Sequence, residues 1–271
     1  MSRLCNRDAD DVEGELERKG FTTYRFAISA LLKTARMFGR APKFTVEQTG
    51  GKMFVVAGAG IIPSIVDAAL KSIGAQGVQT VSALCQAVPQ IHQRRTDPIF
   101  VRQILNTRRD VRWLDDDEKI FWLASVPRNP VVRSLRKVLC YASPVSLPAL
   151  HKAIARIPSH RLALSRPQLA RLCEQALFCQ VANGSVERIA PLSAAKLISS
   201  PEKTVCRILR RNGNELPIQR LQSLCAAAGV QKPNLWRIVL YSPLISRPAP
   251  RIYRVITAVS DGTQAVARRS A

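Results

Sequence analysis

Apolar positions follow two periods along this chain. Stretches with a helical period of three to four are each closed by a pair of short runs with a strand period of two. The paired runs are Lys43–Val56, turning at Gly50-Gly51; Val111–Leu123, turning over Asp115–Glu118; Cys179–Ile189, turning at Asn183-Gly184; and Leu244–Ile256, turning over Pro248–Pro250. Phe54, Phe121, Glu187 and Tyr253 take equivalent places in the second run of each pair, 67, 66 and 66 residues apart. Helices first and a hairpin last, repeated at that spacing, predicts a tandem array.

Within the array, the spacing of apolar residues and helix caps predicts individual elements. In the first unit Asp11–Lys19 and Thr23–Phe38 read as amphipathic helices separated at Gly20, with the leading helix reduced or missing. The second unit has helix Pro63–Ile73 with Ile65, Ala69, Leu70 and Ile73 on one face, a short strand at Val78, helix Thr80–Val88, and helix Asp97–Asn106. Asp97 before Pro98 suits an N-cap followed by proline in the first turn. The third unit repeats the order: Asn129 caps Pro130–Tyr141, Val145 is the strand, then come Pro148–Arg156 and Ser165–Phe178. The fourth has Glu202–Arg211 after Ser200-Pro201, a turn at Asn212-Gly213, strand Leu216, then Pro217–Ala228 and Lys232–Tyr241. The predicted fold class is mainly α (α+β): tandem winged-helix units, each three helices plus a two-stranded wing. The expected boundaries are a partial unit over residues 1–57, complete units over 60–125, 126–191 and 200–257, and a disordered tail over 258–271. A core of about 60 residues is marginal alone, so neighbouring units should pack on one another.

Charge sharpens the picture. The 271 residues hold 41 Lys and Arg against 19 Asp and Glu. Residues 1–125 carry 18 basic and 14 acidic side chains, a balance of +4, whereas residues 126–271 carry 23 and 5, a balance of +18. A basic half of this kind attracts a polyanion, and double-stranded DNA is the expected partner. No apolar run approaches the ~20 residues that span a bilayer, and the charged start lacks a signal-peptide core. Seven cysteines without a pairing pattern, five of them (Cys85, Cys140, Cys173, Cys206, Cys225) at apolar helix positions, suit small hydrophobes in a reducing cytoplasm.

In a helix-turn-helix the third helix presents its first residues to base edges. The third unit offers Ser165, Arg166, Gln168 and Arg171 there, and the fourth offers Gln231, Lys232, Asn234 and Arg237. Arg, Gln and Asn carry the paired donors and acceptors that match a base edge. Arg207, Arg210 and Arg211 on the fourth unit's first helix, with Arg247 and Arg251 on its wing, suit phosphates. The second unit differs: its third helix carries Arg102, Gln103, Arg108 and Arg109, but its wing tip is Asp115-Asp116-Asp117-Glu118, which repels phosphate and either keeps a tight turn solvated or meets a protein.

The run Arg112-Trp113-Leu114-Asp115, then Ile120-Phe121-Trp122-Leu123, then Ser125-Val126-Pro127-Arg128-Asn129-Pro130, resembles a pattern of certain bacterial regulators. In these, a helix-turn-helix similar to region 4 of sigma factors is joined to tandem winged helices that bind DNA. Asn234-Leu235-Trp236 and Leu240-Tyr241-Ser242-Pro243-Leu244-Ile245 resemble their closing unit. The resemblance spans about residues 60–256 and implies DNA binding, regulation of transcription and a possible partner in RNA polymerase. The chain departs from the pattern in showing no clear sigma-like helix-turn-helix before the first hairpin.

Enzyme signatures are weak. Gly58-Ala59-Gly60 follows a strand, but the third glycine of a dinucleotide fingerprint would fall at Pro63. There is no P-loop and no Cys-x-x-Cys pair, and Asp115–Glu118 lacks the glycine-centred loop of a calcium site. His92, His151 and His160 are scattered and expected on basic surfaces. The expected protein is not an enzyme, takes no cofactor or small-molecule ligand, and binds duplex DNA. The rival reading is a protein-interaction scaffold that docks on RNA polymerase or another complex.

Overall fold

The computed structural model describes residues 7–8, 45–49, 51–56, 60–88, 97–117, 119–157 and 164–259. The helices predicted over Asp11–Lys19 and Thr23–Phe38, the residues His92 and His160, and the tail from residue 260 lie outside them. Contacts divide the chain into two compact bodies, Met1–Gly74 with Val78–Pro127, and Ala75–Gly77 with Arg128–Ala271. The class is mixed α+β, with ten helices and four three-stranded antiparallel sheets among the described residues.

The first body contains β1 (Arg7–Asp8), β2 (Thr45–Thr49), β3 (Lys52–Val56), α1 (Ile61–Gln76), β4 (Gln79–Thr80), α2 (Val81–Ala87), α3 (Pro98–Asn106), β5 (Val111–Trp113) and β6 (Ile120–Leu123). Its sheets run β1-β3-β2 and β4-β6-β5, so the last strand of each hairpin sits in the middle. The short strand expected at Val78 forms instead at Gln79–Thr80, because Thr80 also starts α2: its hydroxyl accepts from Ala83 N at 3.1 Å. The Asp97 cap forms as expected, its carboxylate accepting from Ile99 N.

The first hairpin does not stand alone. Phe54 on β3 meets Phe100 on α3 edge to face, centroids 5.8 Å apart, and both belong to one cluster with Ile65, Leu84, Ile104 and Phe121. Glu47 on β2 reaches the start of α1, accepting from Gly60 N at 2.6 Å and Ile62 N at 3.3 Å. A carboxylate there satisfies orphan amides and complements the helix dipole. Burying apolar area across two repeats offsets the small core of each.

The second body contains α4 (Pro130–Tyr141), β7 (Val145–Ser146), α5 (Leu147–Ala155), α6 (Arg166–Gln175), β8 (Cys179–Ala182), β9 (Ser185–Arg188), α7 (Ala194–Leu197), α8 (Ser200–Arg211), β10 (Glu215–Pro217), α9 (Ile218–Ala227), α10 (Lys232–Tyr241), β11 (Ile245–Ala249) and β12 (Ile252–Val255). The helix–strand–helix–helix–hairpin order occurs twice, with sheets β7-β9-β8 and β10-β12-β11. Asn183 and Gly184 both have positive φ, the twist that a two-residue hairpin loop requires.

Several expectations shift by a residue or more. The third member of the Phe54, Phe121, Tyr253 series is Val186, not Glu187. Val186 pairs with Val145 of the short strand as Phe121 pairs with Gln79, and it is buried while Glu187 is exposed. The last hairpin turns at Pro250-Arg251, beyond the Pro248–Pro250 expected, because a bulge between Ser246 and Ala249 lengthens β11. Helix α6 stops at Gln175, short of Phe178: Ala176 is extended, Phe178 is buried and Leu177 is left 93% exposed. Residues 258–259 are not part of a disordered tail, since Val259 N donates to Pro144 O at 2.8 Å. The stretch left between the units expected over 126–191 and 200–257 contains α7, which packs on α4.

The third and fourth repeats are joined by partly buried polar contacts. Lys137 on α4 donates to both carboxylate oxygens of Glu202 on α8, at 2.9 and 2.8 Å, and the Ser242 hydroxyl after α10 donates to the same carboxylate. Arg156, after α5, donates to Val239 O at 2.8 Å and to Ile245 O.

Gly77 illustrates how tightly the second body closes. Its φ is +89°, its carbonyl accepts from Asn129 Nδ2 at 2.6 Å, and an added Cβ would lie 2.5 Å from a Val131 methyl. Gly77→Ala combines left-handed strain with overlap and is expected to cost about 2 kcal/mol. A urea titration should show this as a lower midpoint.

Candidate nucleic-acid interface

Two helices carry the predicted base-reading residues, and the structure treats them differently. At α6, Ser165 and Gln168 form a reciprocal capping box: Ser165 N donates to Gln168 Oε1 at 2.9 Å, and Gln168 N to Ser165 Oγ at 3.4 Å. Both side chains are committed to their own helix start. Gln168 is thereby removed from the set of free readers. Arg166 remains exposed at the first helical position, and Arg171 is half-buried.

At α10 the start is open. Gln231 occupies the N-cap position without a side-chain capping bond, and Lys232 is exposed beside it. Asn234 is half-buried and accepts from Arg237 Nη2 at 3.3 Å, which ties the two into a pair while most of the guanidinium faces solvent. Proline at the second helical position removes one amide donor that would otherwise need a partner.

The predicted phosphate contacts also separate into two groups. Arg207 and Arg211 on α8 are exposed, as are Arg247 on β11 and Arg251 at the hairpin tip, where φ is +61°. Arg210 is different. Its guanidinium lies 4.1 Å from the centroid of the Tyr141 ring and donates to Tyr141 O at 3.3 Å. It joins α8 to α4, and its other donors alone could serve a phosphate. Arg254 is similarly held by Glu215, with Nε 2.6 Å from the carboxylate.

The acidic hairpin of the first body closes on itself. Asp115 accepts from Lys119 N at 2.8 Å and Ile120 N at 3.2 Å, and Asp117 pairs with Lys119 at 2.7 Å. Near its base, Asp110 takes a two-pronged bond from Arg108 at 3.0 and 2.9 Å and another from Ser125. Burial pushes the Asp110 carboxyl up, but these bonds outweigh it and hold the group below its ordinary 3.8. A depressed carboxyl stabilises the fold above its unfolded value, and that gain disappears as pH falls through the folded value. Asp110→Asn should therefore lower the urea midpoint at pH 7, and the gap from the native chain should shrink towards pH 3.

Cys85, Cys140, Cys173, Cys179, Cys206 and Cys225 are free thiols. Burial pushes Cys206 up to about 12 and Cys225 to about 11, so both are uncharged at neutral pH and act as small apolar side chains. His151 is half-buried, with its ring nitrogen 2.7 Å from Leu164 O, and lines a surface hollow with Lys152, Arg156 and Arg166, the basic surroundings expected of it. Among the described residues no three His, Cys, Asp or Glu side chains group as metal ligands, and no helix is long and apolar enough to cross a membrane.

Sequence motifs gave no sign of two exposed cations, Arg133 on α4 and Lys196 on α7. They come near Arg237 only through folding, at a cleft in the second body. No protein-family model matches the chain, and no curated protein matches it in sequence.

Proposed function

We propose that the repeats are winged-helix units and that the second body binds double-stranded DNA, as a regulator of transcription in a cytoplasmic setting. The observation that carries this reading is the open, cationic start of α10, with Gln231, Lys232 and Arg237 exposed, in a half of the chain whose balance is +18. The α10 start would enter the major groove, and its first side chains would reach base edges. Arg207, Arg211, Arg247 and Arg251 would hold phosphates and set the register of the protein on the duplex. The α6 start would add Arg166 and Arg171, with Gln168 fixing the helix end instead of reading a base. Catalysis plays no part in this reading.

A salt titration tests it. If about six cations neutralise phosphates, duplex affinity should fall roughly a thousandfold between 50 and 200 mM salt, because bound phosphates release counterions. Affinity that is absent at low salt, or flat across the range, would refute the reading and favour a scaffold that docks on RNA polymerase or another protein complex.

A further inference from the structure

The second body contains a cleft of about 430 Å³, of whose lining the duplex reading uses Arg237 alone. Its walls come from the third repeat (Arg133 and Lys137), the α7 segment (Lys196, Leu197 and Ile198), and the fourth repeat (Arg237, Ile238 and Tyr241). The start of α8 opens into it through Ser199 and Glu202. We propose that this cleft is a binding site for a small organic anion of the mononucleotide class, a phosphate and a flat base carried on one sugar.

Size decides first. A volume near 430 Å³ falls in the range of small-molecule sites, about 300–1,000 Å³. A DNA duplex, whose major groove alone is about 12 Å wide, does not fit such a space.

Charge decides next. Four cations face one acid, and that acid is already satisfied: Glu202 is 3% exposed and receives Lys137 twice and the Ser242 hydroxyl. Arg133, Lys196 and Arg237 are exposed and form no ion pair among the described residues. Three uncompensated cations around a concave surface select an anion. The twelve-residue helix α8 adds to this, since Ser199 at its N-cap makes no side-chain bond to the first-turn amides.

The remaining lining selects the ring. Tyr241 is 52% exposed, unusual for a residue at the end of a core helix, and Ile198 and Ile238 form an apolar floor. An aromatic face at the mouth and an apolar floor suit a planar base or similar ring, stacked with its phosphate towards the cations. Arg237 serves both this cleft and the proposed duplex surface. On the duplex reading, an occupant would therefore weaken DNA binding; the site itself does not depend on that reading.

The test is calorimetric titration of the full chain with AMP, adenosine and inorganic phosphate at 150 mM salt. AMP should bind saturably at one site, with adenosine and phosphate each at least tenfold weaker. Arg133→Ala with Lys196→Ala should weaken AMP at least tenfold. Lys71→Ala with Arg220→Ala removes the same charge from exposed positions outside the cleft and should change AMP binding less than twofold. Tyr241→Ala should weaken AMP but not phosphate. Equal losses in the two double variants, phosphate as tight as AMP, or no saturable binding would each overturn the proposal. Duplex affinity measured on the native chain separates the two ideas: no saturable AMP binding beside persistent, salt-dependent duplex binding removes the cleft alone.

Discussion

Duplex binding should weaken by one to two orders of magnitude when Lys232 and Arg237 are both replaced by alanine. Both side chains are exposed on α10, so their loss should leave stability within about 0.5 kcal/mol of the native chain. The effect then belongs to the interface. If Lys232 lies on a phosphate and Arg237 on a phosphate or base edge, the slope of log affinity against log salt should fall by about one to two. Filter binding or fluorescence anisotropy at several salt concentrations gives both quantities. An unchanged affinity and slope would take the fourth repeat out of the interface. Gln168→Ala offers a contrast, because it breaks a capping box: it should cost stability before it costs specificity.

Glu202 is expected to be the most sensitive position in the second body. Its carboxylate is buried and bound by Lys137 from α4 and Ser242 from the end of α10. Removing one member of a buried ion pair leaves the other charge without compensation, at about 3–5 kcal/mol. Glu202→Ala should destabilise the second body by that amount, read as a lower denaturant midpoint. Replacing Lys137 and Glu202 together by Met and Leu should restore much of the loss, because no unpaired charge remains. If the single substitution costs less than about 1 kcal/mol, the pair does not join the repeats as the geometry indicates.

The repeat was legible because each of its parts has a local cause. Asp97 and Asn129 before proline start their helices as the sequence predicts, and Asn183-Gly184 makes its two-residue turn. Period-two patterning found the hairpins, but it could not find Arg7–Asp8 or Gln79–Thr80. Strands of two residues carry no period, and they exist only because a neighbouring hairpin accepts them. The same limit explains Glu187: in a short strand with an apolar residue on each side of a turn, only the pairing partner shows which position faces inward. Side-chain commitments were hidden for a related reason. The bonds that occupy Arg210, Gln168 and Glu47 depend on where the partner backbone lies, and for Arg210 that partner is contributed by a distant helix. The Arg133–Lys196–Arg237 cleft is the extreme case, being assembled from three separated segments.

The shared carboxylate at Glu202 has a geometric corollary. Glu202 of the fourth repeat is held at once by Lys137 of the third and by Ser242 at the end of α10, so one carboxylate ties the third repeat to two elements of the fourth. If the second body binds duplex DNA as proposed, two contact helices tied in this way should tolerate a changed base pair better than an added one, since an inserted base pair rotates the second contact away around the helix axis.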